Sequence, residues 1–170
     1  MELWDAYDES EKLLGIDLIR GKPIPSGVYH LGVSVLVRHV DGDYLLTQRC
    51  LTKSSWSGYW EPSAGGYAQK GDTPLMAAIR EVEEETGLVV KNPVLIDKRT
   101  HHAMIHYYYI AKTDCDKTAV KLLEGETIDY KWVDIQGLID ILELGTIIPF
   151  QVECLAKYVE NLKKIKQEEF

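Results

Sequence analysis

The stretch from Gly65 to Val90, GGYAQKGDTPLMAAIREVEEETGLVV, sets three glutamates, Glu81, Glu84 and Glu85, within one helical turn behind a glycine-rich loop. The ends of this helix are marked in the sequence. Thr73 suits an N-cap, Pro74 the first helical position, and Gly87 the residue beyond the last turn. At about 100° per residue the three acids share roughly a third of the circumference, and like charges three and four residues apart repel. Leu75, Ala78, Ile79 and Val82 cluster on a neighbouring arc and are expected to form the buried face, with Ala77 small amid the acids. Such a helix needs a sheet for its apolar stripe and a partner for its charges. A solvated acidic face is one answer. A hard divalent cation, which takes oxygen ligands and shares them with phosphates, is the other.

The flanking sequence supplies strands. LWDAYD and GIDLIRG read as an N-terminal hairpin ended by Pro23 and Pro25. HLGVSVLVRHVDGDYLLTQRC gives two β-branched runs around Asp41-Gly42, a hairpin signal. Residues 51–64 form a polar and aromatic loop with a short strand at Trp60. PVLIDKRT, HAMIHYYYIAK and TIDYKWVDI are three more strands, the last reached through the acidic loop LLEGE. Val152, Leu155, Val159, Leu162 and Ile165 recur at helical spacing and predict a closing amphipathic helix from about Pro149 to Gln167. The expected class is α+β, an α/β/α sandwich around a mixed sheet with an N-terminal β-hairpin extension. Without repeats or linker-like tracts, 170 residues read as one domain, residues 1–27 as the extension and 28–170 as the body.

A formal net charge of −8 argues against a nucleic-acid polymer or an anionic membrane as partner. An anionic substrate would then need a cation to mediate its approach. Cys50, Cys115 and Cys154 are far apart and form no CxxC pair, which suits a reducing cytoplasm rather than a disulfide framework or zinc site. No signal peptide or membrane-length apolar run is legible. HHxxxH at 101–106 holds no shared metal either, because His102 and His106 on one strand would lie about 13 Å apart.

The helix and its loop resemble the Nudix box, G-x5-E-x7-R-E-U-x-E-E-x-G-U with U aliphatic. Gly66, Arg80, Glu81, Val82, Glu84, Glu85, Gly87 and Leu88 match, and the family's first glutamate is Asp72 here. WSGYWEPSAGG upstream and YKWVD downstream extend the likeness over about residues 28–150. The N-terminal extension resembles that of a subgroup related to isopentenyl-diphosphate isomerases. The resemblance implies a Nudix-fold, Mg²⁺-dependent hydrolase, with Mn²⁺ as an alternative, that cleaves the diphosphate linkage of a nucleoside diphosphate joined to a group X. It implies Glu81, Glu84, Glu85 and the Gly65 carbonyl as metal ligands, Glu81 or Glu84 as base, and Arg80 as the residue that orients them. Asp72, Glu124 and Glu126 are additional acid candidates.

Substrate-binding candidates are Arg49, Trp56, Trp60, Tyr67 and Arg99. His30 is a further one, where the isomerases carry a metal-binding histidine. One rival is an isomerase that moves a double bond, but the family's cysteine before the box glycine has no counterpart in PSAGG. Another is a catalytically silent nucleotide-binding module, favoured only by Asp72. Dimers are common among such relatives, so a homodimer is an open expectation.

Overall fold

A computed structural model describes residues 1–168, and side chains through residue 164. β1 (Leu3–Tyr7) and β2 (Leu13–Ile19) form a separate antiparallel hairpin. β3 (His30–His39) and β4 (Tyr44–Arg49) flank the Asp41-Gly42 turn, where Gly42 takes a φ of 108° that few side chains tolerate. Next come β5 (Trp60–Pro62), β6 (Ala64–Tyr67), α1 (Pro74–Thr86), β7 (Lys91–His101) and β8 (Met104–Thr113). β9 (Thr127–Val133), α2 (Ile135–Glu143) and α3 (Pro149–Glu168) complete the order.

The main sheet is mixed. Its path is β5-β4-β3-β8-β7, with β6 also on β3 and β9 also on β4. β3 and β8 run parallel, from His30 opposite Met104 to His39 opposite Thr113, and the other pairings are antiparallel. Side chains alternate along β3. Leu31, Val33, Val35 and Val37 pack under α1 with Ala77, Ala78 and Val82. Leu36 points the other way, joining Leu138 of α2 and Leu155 and Val159 of α3. Each large aliphatic side chain so buried contributes about 1.5–3 kcal/mol. The result is the three-layer α/β/α arrangement, with the N-terminal hairpin held to its side. Tyr7 and Tyr29 exchange backbone hydrogen bonds of 2.8 and 2.9 Å, the Gly71 amide donates to Asp5 at 2.7 Å, and Trp4 stacks on His30 with ring centroids 4.3 Å apart.

The structure departs from the sequence pattern in two places. The buried arc of α1 is shifted from the expected one: Ala78 and Val82 are buried as expected, but Leu75 is 41% exposed and Ile79 half-buried, while Ala77, Glu81 and Glu85 also turn inward. The strand that backs this helix is AGGY, and the missing side chain of Gly66 leaves room that the Glu81 carboxylate fills. α2 has no counterpart in the sequence reading, since nine residues with Gly137 inside give too short a periodic signal. In α3, Leu155 and Val159 are buried and Val152 and Leu162 half-buried, whereas the Ile165 side chain lies outside the described residues. Of the consecutive tyrosines, Tyr108 and Tyr109 are buried on opposite faces of β8.

Candidate active site

α1 begins as its caps require. The Thr73 hydroxyl accepts from the Met76 amide at 3.2 Å, Pro74 opens the helix, and Gly87 closes it at φ 68° with its amide on the Glu83 carbonyl. The helix lies across β6 so closely that a Cβ added at Gly66 would stand 2.3 Å from the Glu81 carboxyl carbon. One turn on, the Gly65 amide donates to Glu85 Oε2 at 3.1 Å. The two glycines of the box approach are therefore the floor on which two of its acids rest.

Arg80 gathers the rest. One guanidinium nitrogen donates to Glu81 Oε1 at 2.8 Å and Glu84 Oε2 at 3.2 Å, and the other to Asp72 Oδ2 and the Tyr67 carbonyl, both at 3.0 Å. Asp72 also accepts from the Gln69 amide at 3.1 Å, so it ties the loop to the helix through Arg80. The shorter acid at this position still reaches the arginine.

These groups face a cleft of about 1080 Å³. Glu61, Glu81, Glu84, Glu85 and Glu126 line it, answered by Arg20, Arg49, Lys53 and Arg80. Arg49 donates to both Glu61 oxygens at 3.2 and 3.3 Å, and Lys53 pairs with Glu126. Burial pushes the Glu61 carboxyl up to about 7, even against the pull of Arg49. Burial also raises Glu81, with Arg80 opposing, and it lifts Glu85 well above the usual carboxylate range, helped by repulsion from Glu61 and Glu81. Glu84 is the open member, its side chain 50% exposed.

Among the described residues, no three His, Cys, Asp or Glu side chains converge into a ready-made cage. Arg80 holds Glu81 and Glu84, and Glu85 is turned to the Gly65 amide. The donor set is nevertheless all hard oxygen, and its buried members resist ionising without added positive charge. That chemistry fits a divalent cation of the Mg²⁺ type.

The other sequence candidates divide. Arg49, Trp56, Tyr67 and Glu126 line the cleft, whereas Trp60 and Arg99 do not. Trp60 packs toward α2 and α3 with Lys131 Nζ 3.8 Å from its ring centre, and Arg99 is engaged by Asp97 at 2.7 Å and by Glu153. His30 is buried between Trp4 and Tyr67, and burial lowers it to about 4, so it fastens the hairpin. Glu124 is exposed on its loop, apart from the cleft lining. Sequence reasoning missed Glu61, a lone acid in a three-residue strand too short to show alternation. It also missed Glu2, Trp4 and Arg20, which bring the hairpin into the cleft wall.

The NUDIX domain model matches residues 28–157. The chain belongs to the Nudix hydrolase family. It is 33% identical over 153 residues to an uncharacterised Nudix hydrolase of Listeria monocytogenes, covering 88% of this chain and 90% of that one. An isopentenyl-diphosphate Δ-isomerase of Enterobacter is 28% identical over 143 residues, 79% of this chain and 78% of the relative. A crystal structure from Deinococcus radiodurans, 18% identical, covers 92% of this chain and 98% of its own with a TM-score of 0.75, a likeness of fold. This Nudix protein is thus a hydrolase enzyme of a family that acts on small molecules. No helix among its described residues is long and apolar enough to cross a membrane.

Proposed function

We propose that the chain hydrolyses the diphosphate linkage of a nucleoside diphosphate joined to a second group X, with Mg²⁺ at the acids of α1. The observation that carries this reading is the stack of buried carboxylates, Glu61, Glu81 and Glu85, along one cleft wall. Such a stack is unfavourable by itself and favourable once a divalent cation and a polyanion share the cleft. Glu81, Glu84 and Glu85 would hold the ion beside the Gly65 backbone. When bound, Mg²⁺ would supply Lewis acidity and neutralise the diphosphate.

The chain's own groups do the rest. Arg80 fixes Glu81 and Glu84 against each other and leaves the open Glu84 as the carboxylate that accepts a proton from water. Glu126, also on the cleft lining, is the alternative base, paired for the present with Lys53. Arg49 and Lys53, which line the same cleft beside Glu61 and Glu126, are the cations that receive phosphate oxygens. Trp56, 42% exposed at the rim, offers a ring face to X.

The test is a panel of diphosphate compounds, isopentenyl diphosphate included, run with Mg²⁺ and with chelator beside Glu84→Gln, with products identified by mass. Metal-dependent cleavage lost in the variant is expected. Double-bond migration without release of phosphate would replace this reading with the isomerase one. Binding without turnover would leave a silent module.

A further inference from the structure

On the α3 side of the sheet, β3 and β8 bring Gly32 opposite His106 and Ser34 opposite Tyr108. His106 Nε2 lies 2.8 Å from Ser34 Oγ, and the Gln151 side-chain amide donates to the same oxygen at 3.2 Å. The arrangement that uses the Ser34 proton has it donated to His106 Nε2, which places the imidazole proton on Nδ1. Two polar atoms remain, His106 Nδ1 and Gln151 Oε1, both buried and without a partner. His106 is 5% exposed and Gln151 2%. Reversing the amide of Gln151 reverses the whole wire, and the pair still consists of one donor and one acceptor.

The surroundings are apolar and yielding. A Cβ at Gly32 would stand 3.0 Å from His106 Nδ1 and 2.4 Å from Met104 Sδ, so the missing side chain opens a niche that the flexible thioether now covers. Phe150 meets His106 edge-on at 5.7 Å and lies nearly parallel to His101 at 6.4 Å. Ser34, Met104, His106, Phe150 and Gln151 all line the same cleft as the α1 acids. Burial lowers His106 to about 3, so the niche carries no charge at neutral pH.

We infer that the Ser34–His106–Gln151 wire reads the organic group carried on the substrate's diphosphate, and that the group it takes is uncharged and planar, with one hydrogen-bond donor and one acceptor. A heteroaromatic lactam or an amide satisfies both unpaired atoms once Met104 swings aside. A prenyl chain would leave both stranded against hydrocarbon, which disfavours it. This inference rests on the diphosphate-hydrolase reading and adds to it which organic group the cleft prefers.

The experiment is calorimetry with Mg²⁺ and three non-cleavable probes: methylenediphosphonate, inosine 5′-(α,β-methylene)diphosphate, and the methylene analogue of geranyl diphosphate. The wild-type chain should bind the inosine probe roughly tenfold tighter than the geranyl one. Gln151→Met, close in shape but without hydrogen-bonding groups, should erase that ratio. In long-range proton–nitrogen spectra His106 should be a single tautomer that becomes mixed in Ser34→Ala, and its free ring nitrogen should shift when the inosine probe binds. Equal affinity of the two organic probes for the wild type overturns the inference. So does a Gln151→Met loss that falls as heavily on methylenediphosphonate, since the role is then structural. If methylenediphosphonate fails to bind the wild type at all, the hydrolase reading itself falls, and this inference with it.

Discussion

Gly66→Ala is the sharpest single perturbation of the site. The added methyl would stand 2.3 Å from Glu81 Cδ and 2.4 Å from each carboxylate oxygen. Non-bonded carbon contacts settle near 3.5 Å, so Glu81 must retreat by about 1 Å. The atoms it meets are the end of a side chain rather than backbone, and Gly66 does not occupy the left-handed region. The fold should therefore survive with its melting temperature little changed. The catalytic geometry should not, because Glu81 is buried and pinned by Arg80 at 2.8 Å and has nowhere equivalent to go. Misplacement of about 1 Å costs on the order of 10²-fold in rate, or about 2.7 kcal/mol of barrier. Mg²⁺ titrations of kcat on the best substrate from the panel would read both the loss and a raised metal requirement. A variant with wild-type kcat and wild-type Mg²⁺ dependence would refute the claim that Gly66 is glycine to make room for Glu81.

Two further expectations concern the scaffold and its charge. Leu138→Ala, in the fully buried centre of α2, should destabilise the chain by about 2–5 kcal/mol in urea denaturation; a cost below about 1 kcal/mol would mean that α2 is not part of the core. Glu61, raised by burial from its ordinary 4.5 to about 7, binds more protons folded than unfolded between those values, so metal-free stability is lost as pH rises from about 4.5 through 7. His30 and His106, lowered by burial, act oppositely below their ordinary 6.5, destabilising the fold as pH falls. The difference between Glu61→Gln and wild type isolates the carboxyl: the variant's melting temperature should gain on wild type as pH goes from 5 to 7.5 without metal. A flat or falling difference would contradict the burial of a charge there.

Much of this was written in local sequence. The helix caps, the two hairpins and the box spacing are short-range signals, and each depends on residues whose backbone preferences are strong: Thr73, Pro74, Gly87, Gly42. What escaped depends on contacts between distant segments. Glu81 and Glu85 look solvent-facing on a helical wheel because charge normally is, and only the glycine strand at residues 65–66 turns their arc inward. Glu61 becomes a cleft acid because β5 pairs with β4 and lays it beside Arg49. The partnership of Ser34, His106 and Gln151 spans three elements. Trp60 and Arg99, chosen by residue type as substrate binders, were assigned elsewhere by the packing of α2 and α3.

The parallel pairing of β3 with β8 also bears on how the chain reaches its native state. The β3–β4 hairpin can close on its own, and α1 carries its own caps. Yet β3 finds its parallel neighbour only across the whole stretch from His39 to Met104, a loop whose closure entropy must be met before the contacts that reward it exist. During synthesis, the strand that completes the centre of the sheet emerges after the box helix has already been made. The cleft, lined from both β3 and β8, is complete only once that long-range pairing has closed.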